Sequence, residues 1–86
     1  MNILIVDDEK TFAEILCENF LRAGETASNV FNGDDAIKFL KGNEVDVVIL
    51  DLNMKDKDGV TVLKEIKKFN PEIEVIILTG YGTVKT

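Results

Sequence analysis

Short apolar runs alternate along the chain with segments whose apolar positions recur every three or four residues. Asn2 to Val6 is rich in Ile and Val and runs into Asp7-Asp8-Glu9, the pattern of a strand buried on both faces that opens into a loop. From Thr11, the positions Phe12, Ile15, Leu16, Phe20 and Ala23 predict a helix with that stripe facing inward, stopped by Gly24. Thr26 to Phe31 carries a weaker strand pattern, and Asn32-Gly33 marks a turn before a second helix from about Asp35 to Lys41, with Asp34 at its start and Ala36, Ile37, Phe39 and Leu40 inward. Val45 to Leu50 is the clearest strand and ends in Asp51. A loop through Lys55-Asp56-Lys57-Asp58-Gly59 leads to a third helical stripe, Val62, Leu63, Ile66 and Phe69, closed by Asn70-Pro71. Glu74 to Leu78 is a fourth strand, and a further helix is expected to begin near Val84-Lys85-Thr86.

Apolar strands joined through amphipathic helices by short connections imply right-handed βαβ units around an open parallel sheet with helices on both faces. The expected class is therefore α/β. A chain of 86 residues has material for one such unit and no second core. No repeat, linker or low-complexity stretch interrupts the pattern.

Composition narrows the function classes. Sixteen acidic against ten basic residues give a net charge of −6, which disfavours direct contact with nucleic acid or an anionic membrane surface. The longest apolar runs are four residues, far below the roughly twenty needed to cross a bilayer. The first residues lack the basic start of a secretory signal, so a cytoplasmic location is expected. The one cysteine, Cys17, falls within a helical pattern and reads as a small core residue.

Candidate chemistry comes from where the strands end. In an open parallel sheet, ligand sites form beyond the carboxyl ends of the strands. Here those ends carry Asp7-Asp8, Asp51 and Thr79, which the topology would gather at one edge. Carboxylates so gathered repel: at about 4 Å and an effective dielectric of about 20, each pair costs about 4 kcal/mol. A hard divalent cation with oxygen ligands offsets this, and Mg²⁺ suits a few carboxylates that share it with water and phosphate oxygens. One carboxylate could then attack an anionic phosphoryl donor while the Thr79 hydroxyl bonds a phosphoryl oxygen.

These residues carry a resemblance to the receiver domains of two-component response regulators, over essentially the whole chain. Asp7-Asp8 after Ile3-Leu4-Ile5-Val6, then Asp51-Leu52-Asn53-Met54 with Asp58-Gly59, then Leu78-Thr79-Gly80-Tyr81-Gly82 stand in the order of that family's motifs. The resemblance implies a flavodoxin-like sheet of strand order 2-1-3-4. It also implies that Asp51 accepts a phosphoryl group from a sensor histidine kinase, with Mg²⁺ held by Asp8, Asp51 and the carbonyl of Asn53. Asp7 would assist through water, and Thr79 would bond the phosphoryl group and move inward on activation. The domain would be an autocatalytic phosphoacceptor rather than a turnover enzyme. Residues 80 to 83 look most like receivers attached to transcriptional activators of the nitrogen-regulatory type, so an attached or partner output domain is expected.

The chain also departs from the family pattern. Lys55 stands where the family usually has proline. The family continues through a fourth helix, a fifth strand with a lysine and an aromatic residue, and a fifth helix, so 1–86 is read as a receiver incomplete at its C-terminus. The fourth strand would then be an exposed edge inviting self-association.

Other readings fit less well. A haloacid-dehalogenase-type phosphatase carries Asp-x-Asp after its first strand, whereas Asp51-Leu52-Asn53 follows the third. A flavin or nucleotide binder needs a phosphate cradle where Asp7-Asp8-Glu9 stands. A calcium loop from Met54 would begin on a residue that cannot ligate. The strongest competitor is a truncated receiver acting only as a dimerisation or interaction module.

Overall fold

Strand and helix alternate as the hydrophobic pattern predicts, in a computed structural model that describes residues 1–55, 57–79 and 82–85, the last four and Thr79 by their backbone alone. The elements are β1 (Asn2–Val6), α1 (Lys10–Arg22), β2 (Thr26–Val30), α2 (Gly33–Gly42), β3 (Val47–Asp51), α3 (Gly59–Phe69), β4 (Glu74–Thr79) and β5 (Gly82–Lys85). The sheet order is β2-β1-β3-β4-β5. The first four strands are mutually parallel, with Val6 beside both Val30 and Leu50, and Asp51 beside Leu78. This is the 2-1-3-4 order of the flavodoxin-like sheet.

Alternate residues of each strand serve opposite faces, so two cores form. Leu4, Val6, Val48, Leu50, Val75 and Ile77 meet Ala36, Leu40, Val62 and Ile66 of α2 and α3. On the other face Ile3, Ile5 and Ile49 meet Ala13 and Cys17 of α1, with Leu16, Phe20, Ile76 and Leu78 packed around them. The inward face of α1 keeps Leu16 and Phe20 of the expected stripe but is centred on Ala13 and Cys17. Ala13 and Cys17 are buried, while Phe12, Ile15 and Ala23 are exposed. Small side chains let the helix lie close to the sheet, and the bulky ones then sit at the rim. Cys17 is a core residue as expected, and burial pushes its thiol pKa up, which suits packing rather than nucleophilic chemistry.

The helix ends follow local chemistry. Gly24, at φ +91°, ends α1 in the left-handed conformation that glycine adopts without penalty. Asn32 rather than Asp34 caps α2: its Oδ1 accepts the Asp35 N–H at 2.8 Å and its Nδ2 donates to the Asp35 carboxylate at 3.0 Å. The helix accordingly begins at Gly33, where a Cβ would lie 2.6 Å from Val62 Cγ2, so this glycine permits the close approach of α2 and α3.

At the amino ends of the strands, hydrogen bonds join three neighbours. The Asn2 N–H donates to Asp46 Oδ2 at 2.7 Å, the Asp46 N–H returns to the Asn2 carbonyl at 2.8 Å, and the Glu74 N–H reaches the Asp46 carbonyl at 3.1 Å. Asp46 thus lies just before β3, which starts at Val47 rather than Val45.

One expectation is corrected. Residues 82–85 form no helix but run antiparallel to β4, pairing Thr79 with Gly82 and Ile76 with Lys85. The β-branched pair Thr83-Val84 suits a strand, and antiparallel neighbours need only a short connection. That connection, residues 80–81, lies outside the described residues. The β4 edge expected to be open is thus paired from Ile76 to Thr79.

Candidate functional site

The parallel register brings the carboxyl ends of β1 and β3 side by side, and with them the acids that follow. Asp7, Asp8 and Asp51 each offer a carboxylate oxygen, and the three oxygens lie within 4.8 Å of one another. Asp7 is buried, at 5% exposure, while Asp8 and Asp51 are half-buried. The hollow above them has a volume of about 400 Å³ and is lined also by Glu9, Phe12, Asn53 and Leu78.

Each carboxylate is held by a main-chain N–H. Glu9 donates to Asp7 Oδ1 at 2.9 Å, Asn53 to Asp51 Oδ1 at 3.0 Å, and Lys55 to Asp8 Oδ2 at 2.9 Å. The first two are short-range turns made by an aspartate with its own chain, a habit of Asp at strand ends. The third joins residues far apart in sequence and ties the loop after β3 to the loop after β1.

Burial is the main cause that raises the Asp7 carboxyl pKa above its ordinary value, and the charges of Asp51, Asp8 and Glu9 push the same way against the Glu9 N–H. A site of three hard oxygen donors with this mutual repulsion fits a small divalent cation. Asp8 and Asp51 are the more accessible of the three carboxylates, Asp7 lies deeper, and Asn53 stands at the rim. Thr79 closes β4 one residue beyond Leu78, the register partner of Asp51, and its hydroxyl lies outside the described residues.

Gly59, at the start of α3, lies close against Asp51 and Leu52. The Gly59 N–H reaches the Leu52 carbonyl at 3.3 Å. A Cβ on Gly59 would lie 2.5 Å from Leu52 Cα and 2.9 Å from the Asp51 carbonyl oxygen, both main-chain atoms that cannot step aside. Met54 is buried in the core, so the loop cannot open from there as a calcium loop would. Asp58 caps α3 by accepting the Val60 N–H at 3.2 Å.

Sequence reasoning missed Lys57. Its ammonium pairs with Glu65 of α3 at 2.7 Å and with Asp34 of α2 at 3.3 Å, and both acids raise its pKa. Neither spacing follows a helical or strand period, so only the folded loop reveals the pair.

The chain matches the response regulator receiver domain model over residues 3–86 and belongs to that family. It is 37% identical to the transcriptional regulatory protein ZraR of Klebsiella oxytoca over 86 residues, covering all of this chain and 19% of that protein. It is 35% identical to a putative NtrX-like response regulator of Rickettsia felis over 88 residues, covering all of this chain and 18% of that one. The chain thus spans about a fifth of the length of these relatives. Among solved structures it is similar to the response regulator TrrA of Thermotoga maritima, determined in complex with Mg²⁺-BeF, with a TM-score of 0.86 and 36% identity over 93% of this chain and 70% of that one. TrrA has also been solved with the histidine kinase ThkA, where the TM-score is 0.85 at 36% identity, covering 94% of this chain and 70% of TrrA.

Proposed function

We propose that this receiver domain accepts a phosphoryl group on Asp51 from a phosphohistidine of a sensor histidine kinase and relays the change as a conformational signal. The observation that carries the reading is the meeting of Asp7, Asp8 and Asp51 within 4.8 Å at the carboxyl edge of the sheet. Support also comes from TrrA, which is solved both with Mg²⁺-BeF and with a histidine kinase.

In this reading an Asp51 oxygen attacks phosphorus as the N–P bond of phosphohistidine breaks. The imidazole nitrogen keeps the electron pair and takes up a proton, and Asp51 becomes an acyl phosphate. The Asn53 N–H on Asp51 Oδ1 fixes the carboxylate so that its other oxygen is free to attack. Asp8, Asp51 and the Asn53 carbonyl would hold Mg²⁺, with Asp7 reaching it through water. When bound, Mg²⁺ supplies the positive charge that lets one anion approach another. Thr79 would bond a phosphoryl oxygen and draw its strand end inward.

Receiver domains are generally not turnover enzymes, and this one would act once per phosphoryl group received. Its output would pass to an attached or partner domain, as in the transcriptional regulators to which it is similar. Self-association, expected at the β4 edge, would instead use β5, the outermost strand on that side among the described residues.

Intact mass after incubation with a small phosphodonor tests the reading. One added phosphoryl group is expected, dependent on Mg²⁺ and lost in Asp51→Asn. No gain from a folded chain would reject phosphoacceptance and favour the interaction module.

A further inference from the structure

The Lys55 N–H is the main-chain donor in this site that crosses between loops. It meets Asp8 Oδ2 at 2.9 Å, while Glu9 and Asn53 serve acids two residues before them. Asp8 is the more exposed member of the adjacent acidic pair, and its side chain depends for orientation on what it bonds. The donor exists because residue 55 is not proline, which has no N–H.

The loop that carries this donor is fixed on both sides. Before it, Met54 is buried in the core. After it, the Lys57 ammonium spans Glu65 and Asp34 at 2.7 and 3.3 Å, and Gly59 stacks on the backbone of Asp51 and Leu52. The Lys57 stem also runs past Gly33, whose Cβ position lies 3.2 Å from Lys57 Cδ. The Lys55 donor is thus flanked by residues 54, 57 and 59, each held by contacts of its own.

We propose that the Lys55 main-chain N–H is a positioning group for the cation site: it orients the Asp8 carboxylate before the metal arrives, on a loop that the Lys57 ion pairs keep in register. The role rests on the reading of Asp8 as a metal ligand. A carboxylate that accepts one N–H keeps lone pairs for a cation, and its rotamer freedom is already spent. Outer partners of this kind are worth about 10- to 100-fold in metal affinity.

Calorimetric titration of the full chain with Mg²⁺ tests this. Lys55→Pro removes the N–H and is expected to weaken binding about tenfold. Lys55→Ala keeps the N–H and separates the main-chain donor from the ammonium; its affinity should stay within about twofold of wild type. Lys57→Met, which keeps the stem and loses the charge, should weaken binding by about threefold, with Lys57→Arg restoring it. A second readout does not depend on the proline variant folding: the Lys55 amide proton of the metal-free protein should resonate downfield and lose that shift in Asp8→Ala, which has no acceptor. Equal Mg²⁺ affinity of Lys55→Pro and wild type, or a Lys55 amide indifferent to Asp8→Ala, overturns the positioning role alone. Failure of wild type to bind Mg²⁺ overturns the metal reading, and the role with it.

Discussion

Asp7 shows how a single side chain can serve a site and burden the fold. Burial raises its carboxyl pKa, so the proton is held more tightly in the folded chain than in the unfolded one. The stability that this proton contributes is fully present below the ordinary carboxylate value and is lost as pH rises through the raised folded value. At neutral pH and without metal, Asp7 is therefore a cost. Asp7→Asn should raise unfolding stability in chelator at pH 7 by on the order of 1 kcal/mol, and the gain should shrink as the pH falls. Urea unfolding at several pH values checks this; a gain that grows toward acid would contradict the sign. The acids themselves were legible in the sequence because strand-end carboxylates declare themselves by position. The Lys55 donor was not, because a main-chain N–H has no signature in residue type. Lys57 was hidden for a different reason, since its partners at 34 and 65 become neighbours only when α2 and α3 pack side by side.

Among the elements, those with a strong period were legible and their ends were less so. The spacing of apolar residues found α1, but its largest side chains misled as to its face: a helix pressed against a sheet selects small residues at the contact, here Ala13 and Cys17, and leaves Phe12 and Ile15 outside. In α2 the two acids at 34 and 35 suggested the start, yet Asn32 makes the cap because its short amide reaches the Asp35 N–H while the acids stay in the first turn. Asn32→Ala should cost about 1 kcal/mol of stability, within the range of about 0.5–2 kcal/mol for a lost cap. Chemical denaturation with an unchanged slope would register it, and a variant as stable as wild type would show that Asp34 or Asp35 takes over. The pairing of β5 on β4 escaped the reading because a four-residue segment has no period long enough to separate strand from helix.

For the whole molecule, the parallel direction of the first four strands was legible from the alternation of strands and helices, whereas their 2-1-3-4 order came from the family resemblance. What alternation does not reveal is how the sheet ends. Among the described residues β5 lies outermost on one side and β2 on the other, so pairing between copies would have a backbone template at β5. Light scattering across a range of concentrations should show mass rising above 9.6 kDa, and one mass of that value throughout would end the proposal of self-association.

The ladder that joins Asn2, Asp46 and Glu74 gives this sheet a direction in stability as well as in topology. One end is closed by hydrogen bonds between three strands, and the other, though crossed by the Lys55 N–H to Asp8 and the Asp7 N–H to Val30, gathers like charges. Thermal opening in the absence of metal should therefore start where the acids meet and travel toward the ladder, so that amides near Val6 and Leu50 exchange with solvent sooner than those near Ile3 and Val47. A cation seated among the acids would close the weaker end, and the same event that readies Asp51 for chemistry would make the sheet uniform in its resistance to opening.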